Sequence, residues 1–157
     1  MLESLDMGKP VADALSIDVS ASVRCLDWTA EAIDKVYGEI APTPQHELGL
    51  ITREPLGIIA AIVPWNFPLL MATLKFAPAL AAGDSVILKP SEKSPLSAIR
   101  IAALALEAGI PAGVFNVLPG FGKGAGEPLA LHMDVDGLVF TGSTGVGKHL
   151  LQCAGRS

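Results

Sequence analysis

From Gly57 onward the chain repeats one pattern four times, a short apolar run followed by a loop and then a helical stretch, and that alternation constrains its fold more than any other feature. Ile58-Ile59-Ala60-Ala61-Ile62-Val63 has the length and branching of a buried strand, and Phe67 to Ala82 follows as an apolar helix closed by Gly83. Ser85-Val86-Ile87-Leu88-Lys89 is a second strand. Ser94 and Pro95 then supply an N-cap and a first-turn proline for a helix ending at Gly109, before Pro111. Val114 to Leu118 leads into the glycine-rich run Gly120 to Gly126 and a short helix to about His132, and Gly137-Leu138-Val139-Phe140 precedes a last helix from about Gly145 to Ala154. Continuous apolar strands joined by helices at these spacings form parallel sheets through right-handed crossovers, with helices on both faces. The expected class is α/β, a Rossmann-like doubly wound parallel sheet over residues 57–157. Ligands of such sheets bind at the carboxyl ends of the strands, so the loops after Val63, Lys89, Leu118 and Phe140 are the places to look for function.

Residues 1–56 have a different texture and form a separate amino-terminal segment. Val19, Val23, Leu26, Ala30, Ile33 and Tyr37 recur at helical steps, predicting an amphipathic helix that packs through that stripe and stops at Gly38. Pro42 and Pro44 open an irregular stretch, and Leu48 to Glu54 reads as a short, exposed, orphan strand with no partner in the chain.

Composition narrows the partners. Half of the 157 residues are hydrophobic, which excludes a disordered chain, while 17% charged residues and a net charge of −5 with no basic cluster argue against nucleic-acid binding and electrostatic membrane attachment. The uncharged run from Leu56 to Leu74 is interrupted by Pro64 and Pro68, so no membrane span is expected. The first residues lack a basic stretch leading into an apolar one, and Cys25 and Cys153 have neither disulfide nor metal-ligand spacing; both point to a cytoplasmic compartment with reduced thiols. His46, His132 and His149 read as isolated surface or capping residues, and no metal site is expected.

Three loops carry unusual residues. Gly142-Ser143-Thr144-Gly145-Val146-Gly147-Lys148-His149 is a glycine-rich turn opening a helix, a form suited to an anion. It fails the nucleoside-triphosphate loop because His149 stands where a hydroxyl should hold magnesium, and it departs from the dinucleotide fingerprint because Thr144 replaces the second glycine. A tight turn alone is the plain alternative. In Lys89-Pro90-Ser91-Glu92, the lysine and carboxylate can bond ribose hydroxyls, and the carboxylate would repel an added 2′-phosphate. Alternatively, Ser91 or Ser94 caps the next helix. In Pro64-Trp65-Asn66-Phe67-Pro68, two prolines fix the backbone around an amide that can donate to an oxyanion without titrating, while Phe67 reads as a core residue.

These three motifs, together with Asn116-Val117-Leu118-Pro119-Gly120 and Leu5-Asp6-x-Gly8-Lys9-Pro10, in this order and spacing, resemble the aldehyde dehydrogenase superfamily over nearly the whole chain. The resemblance is greatest to bacterial enzymes acting on betaine aldehyde and γ-glutamyl-aminobutyraldehyde. It implies NAD(P)-dependent oxidation of an aldehyde to a carboxylic acid, with NAD favoured over NADP, in a homo-oligomer. By position it makes Asn66 the oxyanion amide and places Lys89 and Glu92 at the adenosine ribose. Val63 and Trp65 would line the cofactor cleft, Gly122 and Gly126 the adenine, and Ser143 the pyrophosphate, with Gly142 and Gly147 permitting close approach. Gly145 departs from relatives that carry glutamate there, which loosens the first helical turn. The family's general-base glutamate and nucleophilic cysteine belong to segments outside these residues, and neither Cys25 nor Cys153 has the nucleophile's surroundings, so the chain alone is expected to be catalytically inert. A stand-alone nucleotide-binding module, an inert relic and a kinase-like phosphate-loop protein are the other readings. They differ in whether NAD, nothing or magnesium-ATP binds.

Overall fold

The computed structural model describes residues 1–156, and Ser157, the last residue of the expected α/β segment, lies outside them. Four parallel strands, β3 (Ile58–Ile62), β4 (Ser85–Lys89), β5 (Phe115–Val117) and β6 (Gly137–Phe140), form one sheet in the order β5-β4-β3-β6. The chain thus builds outward from β3 to β5, then returns to the far side of β3 as β6. That reversal is the topological switch at which open α/β sheets bind ligands.

Strand alternation divides the sheet's two faces. Ile59, Ala61, Val63, Val86 and Leu88 point to one core, closed by Ala72, Phe76 and Ala77 of α4 (Pro68–Ala81) and by Ala98 of α5 (Leu96–Glu107). Phe76 and Phe115 meet there with ring centroids 4.5 Å apart. Ile62 points the other way, into a smaller cluster with Ala130, Leu150 and Cys153 from α6 (Glu127–Ala130) and α7 (Thr144–Ala154). Helices therefore cover both faces, as expected of a doubly wound sheet. Two carboxylates pin the start of β3: Asp84 accepts from the Gly57 amide and Asp136 from the Ile58 amide, each at 2.8 Å.

The amino-terminal segment differs from its sequence reading in two respects. After α1 (Leu2–Met7), helical backbone begins at Val11 and runs through α2 (Val11–Asp13), a π-helical stretch Ala14–Val19, α3 (Ser20–Ala32) and a 3₁₀ turn ending at Lys35. Its buried side is small and polar: Ala14, Asp18, Ser22 and Thr29 are buried and Cys25 and Leu26 reach the core, whereas Val19, Val23, Ile33 and Tyr37 of the apolar stripe are exposed. Ser22 and Thr29 can be buried because their hydroxyls donate to the carbonyls four residues back, at 2.7 Å each. Nor is the strand near Leu48 an orphan. Gly49–Ile51 (β2) pairs antiparallel with Glu39–Ala41 (β1), with Glu39 opposite Ile51. Three residues ahead of Pro42 are too few to show period-two alternation, so the partner left no trace in the sequence. Among the described residues no helix is long and apolar enough to cross a membrane.

Candidate functional site

Lys89 ends β4 directly beside Ile62 of β3, on the face covered by α6 and α7. Its side chain crosses apolar ground to reach a cleft of about 560 Å³ lined also by Gly122, Gly126, Glu127, Val146 and His149. Lys89 is only 4% exposed, and burial lowers the affinity of its amine for a proton. Glu92 opposes that effect with an ion pair at 3.8 Å, from three residues along the loop after β4. Gly126 closes the cleft against the lysine stem, since a Cβ there would touch Lys89 Cδ and Cε at 3.9 Å. Gly122 opens the π-helical turn Gly122–Gly126 that leads into α6. The cleft thus brings together Lys89, Gly122 and Gly126, with Glu92 held to it by its ion pair.

The opposite wall is the start of α7. Ser143 is its N-cap, its hydroxyl accepting from the Val146 amide at 3.4 Å. The glycines of this turn have a structural task that the sequence did not reveal. A Cβ on Gly142 would lie 2.4 Å from Phe140 Cζ, and one on Gly147 would lie 3.3 Å from Phe140 Cε1. The Phe140 ring occupies the space both glycines leave, so their missing side chains let α7 approach the end of β6.

The remaining candidates sit after β3. Val63 is buried and its amide donates to the Lys89 carbonyl at 3.2 Å, extending the β3–β4 ladder by one bond. Trp65 and Asn66 are exposed, and the Trp65 carbonyl accepts from Ser94 Oγ at 3.1 Å, which ties this loop to the one after β4. That contact corrects the sequence reading of Ser94 as a helix cap; Asp6 of α1 caps α5 instead, accepting from the Leu96 amide at 2.6 Å. Phe67 is likewise not a core residue: it is 36% exposed, with Lys9 Nζ 3.8 Å above its ring. Lys75, which carried no motif signal, donates to Thr141 Oγ1 at 2.6 Å and so links α4 to the loop after β6. Burial lowers its pKa. His149, expected to stand alone, lies 3.2 Å from Glu127 Oε1 and 3.7 Å from Cys153 Sγ.

An ammonium paired with a carboxylate suits a ligand rich in hydroxyls, and the amino end of α7 suits an anion. The model of the aldehyde dehydrogenase family matches residues 1–157. The NADP/NAD-dependent aldehyde dehydrogenase PuuC of Escherichia coli K12 is 62% identical over 157 residues, which are all of this chain and 32% of PuuC. The crystal structure of the aldehyde dehydrogenase KauB from Pseudomonas aeruginosa superposes with a TM-score of 0.98 at 68% identity, covering 99% of this chain and 32% of KauB. An AldA indole-3-acetaldehyde dehydrogenase mutant from P. syringae, in complex with NAD+ and IAA, gives a TM-score of 0.98 at 65% identity, with 99% and 32% coverage. The chain spans about a third of the length of these relatives.

Proposed function

Because the chain belongs to the aldehyde dehydrogenase family, we propose that it forms the dinucleotide-binding part of an enzyme oxidising aldehydes to carboxylic acids, with NAD favoured over NADP. The observation that carries this reading is Lys89, buried at the carboxyl end of β4, paired with Glu92 and directed into a cleft bounded by α7. PuuC uses NAD or NADP by name, and the AldA mutant was crystallised with NAD+.

Lys89 and Glu92 are the groups for the adenosine ribose. The ammonium donates to the hydroxyls, and the carboxylate accepts from one of them and repels a phosphate in its place. Gly122 and Gly126 leave a flat wall for the adenine, and Ser143 with the first amides of α7 faces the pyrophosphate. Val63 and Trp65 border the path from the cleft towards the substrate. When bound, the dinucleotide accepts hydride from the substrate carbon. Asn66, exposed and held between Pro64 and Pro68, donates its amide to the oxygen on which negative charge develops. Cys25 packs into the α4-side core and Cys153 into the α7-side core, so the nucleophile is supplied by further chain. The working unit is a homo-oligomer in the cytoplasm, its substrate a small aldehyde.

Calorimetric titration of NAD into the 157-residue chain tests this, with NADP and a Lys89→Ala variant alongside. Saturable NAD binding is expected, weaker for NADP and weaker by at least about tenfold in Lys89→Ala, the loss of a charge-assisted hydrogen bond. A folded chain that binds no NAD, or binds it equally well without Lys89, overturns the assignment.

A further inference from the structure

On the α7 side of the cleft, three metal-ligating side chains converge that the dinucleotide reading leaves unused. His149 and Cys153 are one helical turn apart on α7 and share a face, and Glu127 opens α6 opposite them. The imidazole Nε2 is 3.2 Å from Glu127 Oε1 and 3.7 Å from Cys153 Sγ, and all three donor atoms fall within 4.8 Å of one another. Around a tetrahedral zinc ion, bonds of about 2.1 Å to nitrogen or oxygen and about 2.3 Å to sulfur separate neighbouring ligand atoms by about 3.3–3.6 Å. Both His149 distances come within about 0.1 Å of such edges. The third edge, Glu127 to Cys153, spans no more than 4.8 Å, and the 37% exposed Glu127 side chain is free to adjust it.

In the metal-free chain the Nε2–H donates to the Glu127 carboxylate with Cys153 Sγ as a weak second acceptor, so a metal would replace one shared proton at the same three atoms. We propose that Glu127, His149 and Cys153 form a zinc site at the rim of the cleft. Cys153, 3% exposed, supplies a thiolate shielded from solvent, while the half-exposed His149 leaves a route of entry. Three protein ligands keep the fourth position open to water. The thiol proton is released to solvent as the Zn–S bond forms. A thiolate with an imidazole selects zinc over magnesium or calcium, which take oxygen ligands. Glu127 and His149 also line the cleft proposed for the dinucleotide, so the metal is tested in the absence of NAD.

Cobalt(II) tests it in the 157-residue chain, because a thiolate ligand produces a sulfur-to-cobalt charge-transfer absorption. One equivalent of cobalt is expected to develop that band, and zinc to abolish it by displacement. Cys25→Ser should retain the band, Cys153→Ser should lose it, and His149→Ala and Glu127→Gln should weaken binding at least tenfold. A wild-type chain without the band, a band lost through Cys25→Ser, or unaltered affinity in His149→Ala overturns the proposal. His149 lies on the surface, so its variant decides the matter even if Cys153→Ser fails to fold.

Discussion

At the scale of single residues, Gly142 illustrates how a glycine in a ligand-type loop can be required by packing. Its φ is not positive, and the reason for glycine is the Phe140 ring, which a Cβ would meet at 2.4 Å. Gly142→Ala should therefore destabilise the fold by about 1–3 kcal/mol, the usual cost of overpacking, and Phe140→Leu in the same chain should recover part of the loss. Urea unfolding of the single and double variants measures this. Equal stability of Gly142→Ala and wild type would assign the glycine to ligand approach alone. Lys89 shows the converse case, in which the residue was legible and its environment was not. Its position after a strand was plain in the sequence, but its burial came from α6 and α7, some 40 to 60 residues further along the chain.

At the scale of elements, α1 does more than its six residues suggest. Glu3 Oε1 accepts from the Leu69 amide at 3.3 Å, and Asp6 caps α5, so one short helix satisfies the first turns of two others. Asp6→Ala should cost about 0.5–2 kcal/mol, the range for a lost N-cap, while leaving the α7 side of the sheet unchanged; hydrogen exchange localised to α5 would reveal it. Glu3 is buried, and that burial, with Asp18 adding to it, raises its pKa above the ordinary 4.5 against the opposing pull of the Leu69 amide and Lys9. Between 4.5 and that raised value the folded chain holds a proton that the unfolded chain has lost, so stability falls as pH rises through the window. Below it the burial penalty is absent, and above it the penalty is complete. Glu3→Gln keeps an acceptor without a charge and should flatten this dependence; identical slopes for variant and wild type in chemical denaturation as the pH rises from 4.5 would refute the account.

At the scale of the molecule, the chain exposes more apolar side chain than a finished surface would. Trp28, Tyr37 and Ile40 are each more than 70% exposed, and Leu50 is 64% exposed, all on α3, the segment after it and the β1–β2 ribbon. Apolar surface of this extent is the kind that contacts another protein surface. The isolated chain should therefore associate reversibly with increasing concentration. Trp28→Gln combined with Ile40→Thr should shift sedimentation towards the monomer without lowering Tm, and a wild-type chain that sediments as a monomer throughout would exclude that surface as adhesive.

Local pattern determined the α/β alternation, the four parallel strands and the identity of the motif residues, because strand and helix periods, glycine turns and proline breaks are written in neighbouring positions. Tertiary structure alone decided the rest. The helix over Val11–Lys35 presents two faces, and which one is buried depends on the α4 surface it meets rather than on its own periodicity. The cap of α5 comes from Asp6, ninety residues away, and Glu127 meets His149 only because α6 and α7 cover the same face of the sheet. Each of these pairings is a contact between segments distant in sequence, and such a contact leaves no signature in either segment until the sheet order has brought the two together.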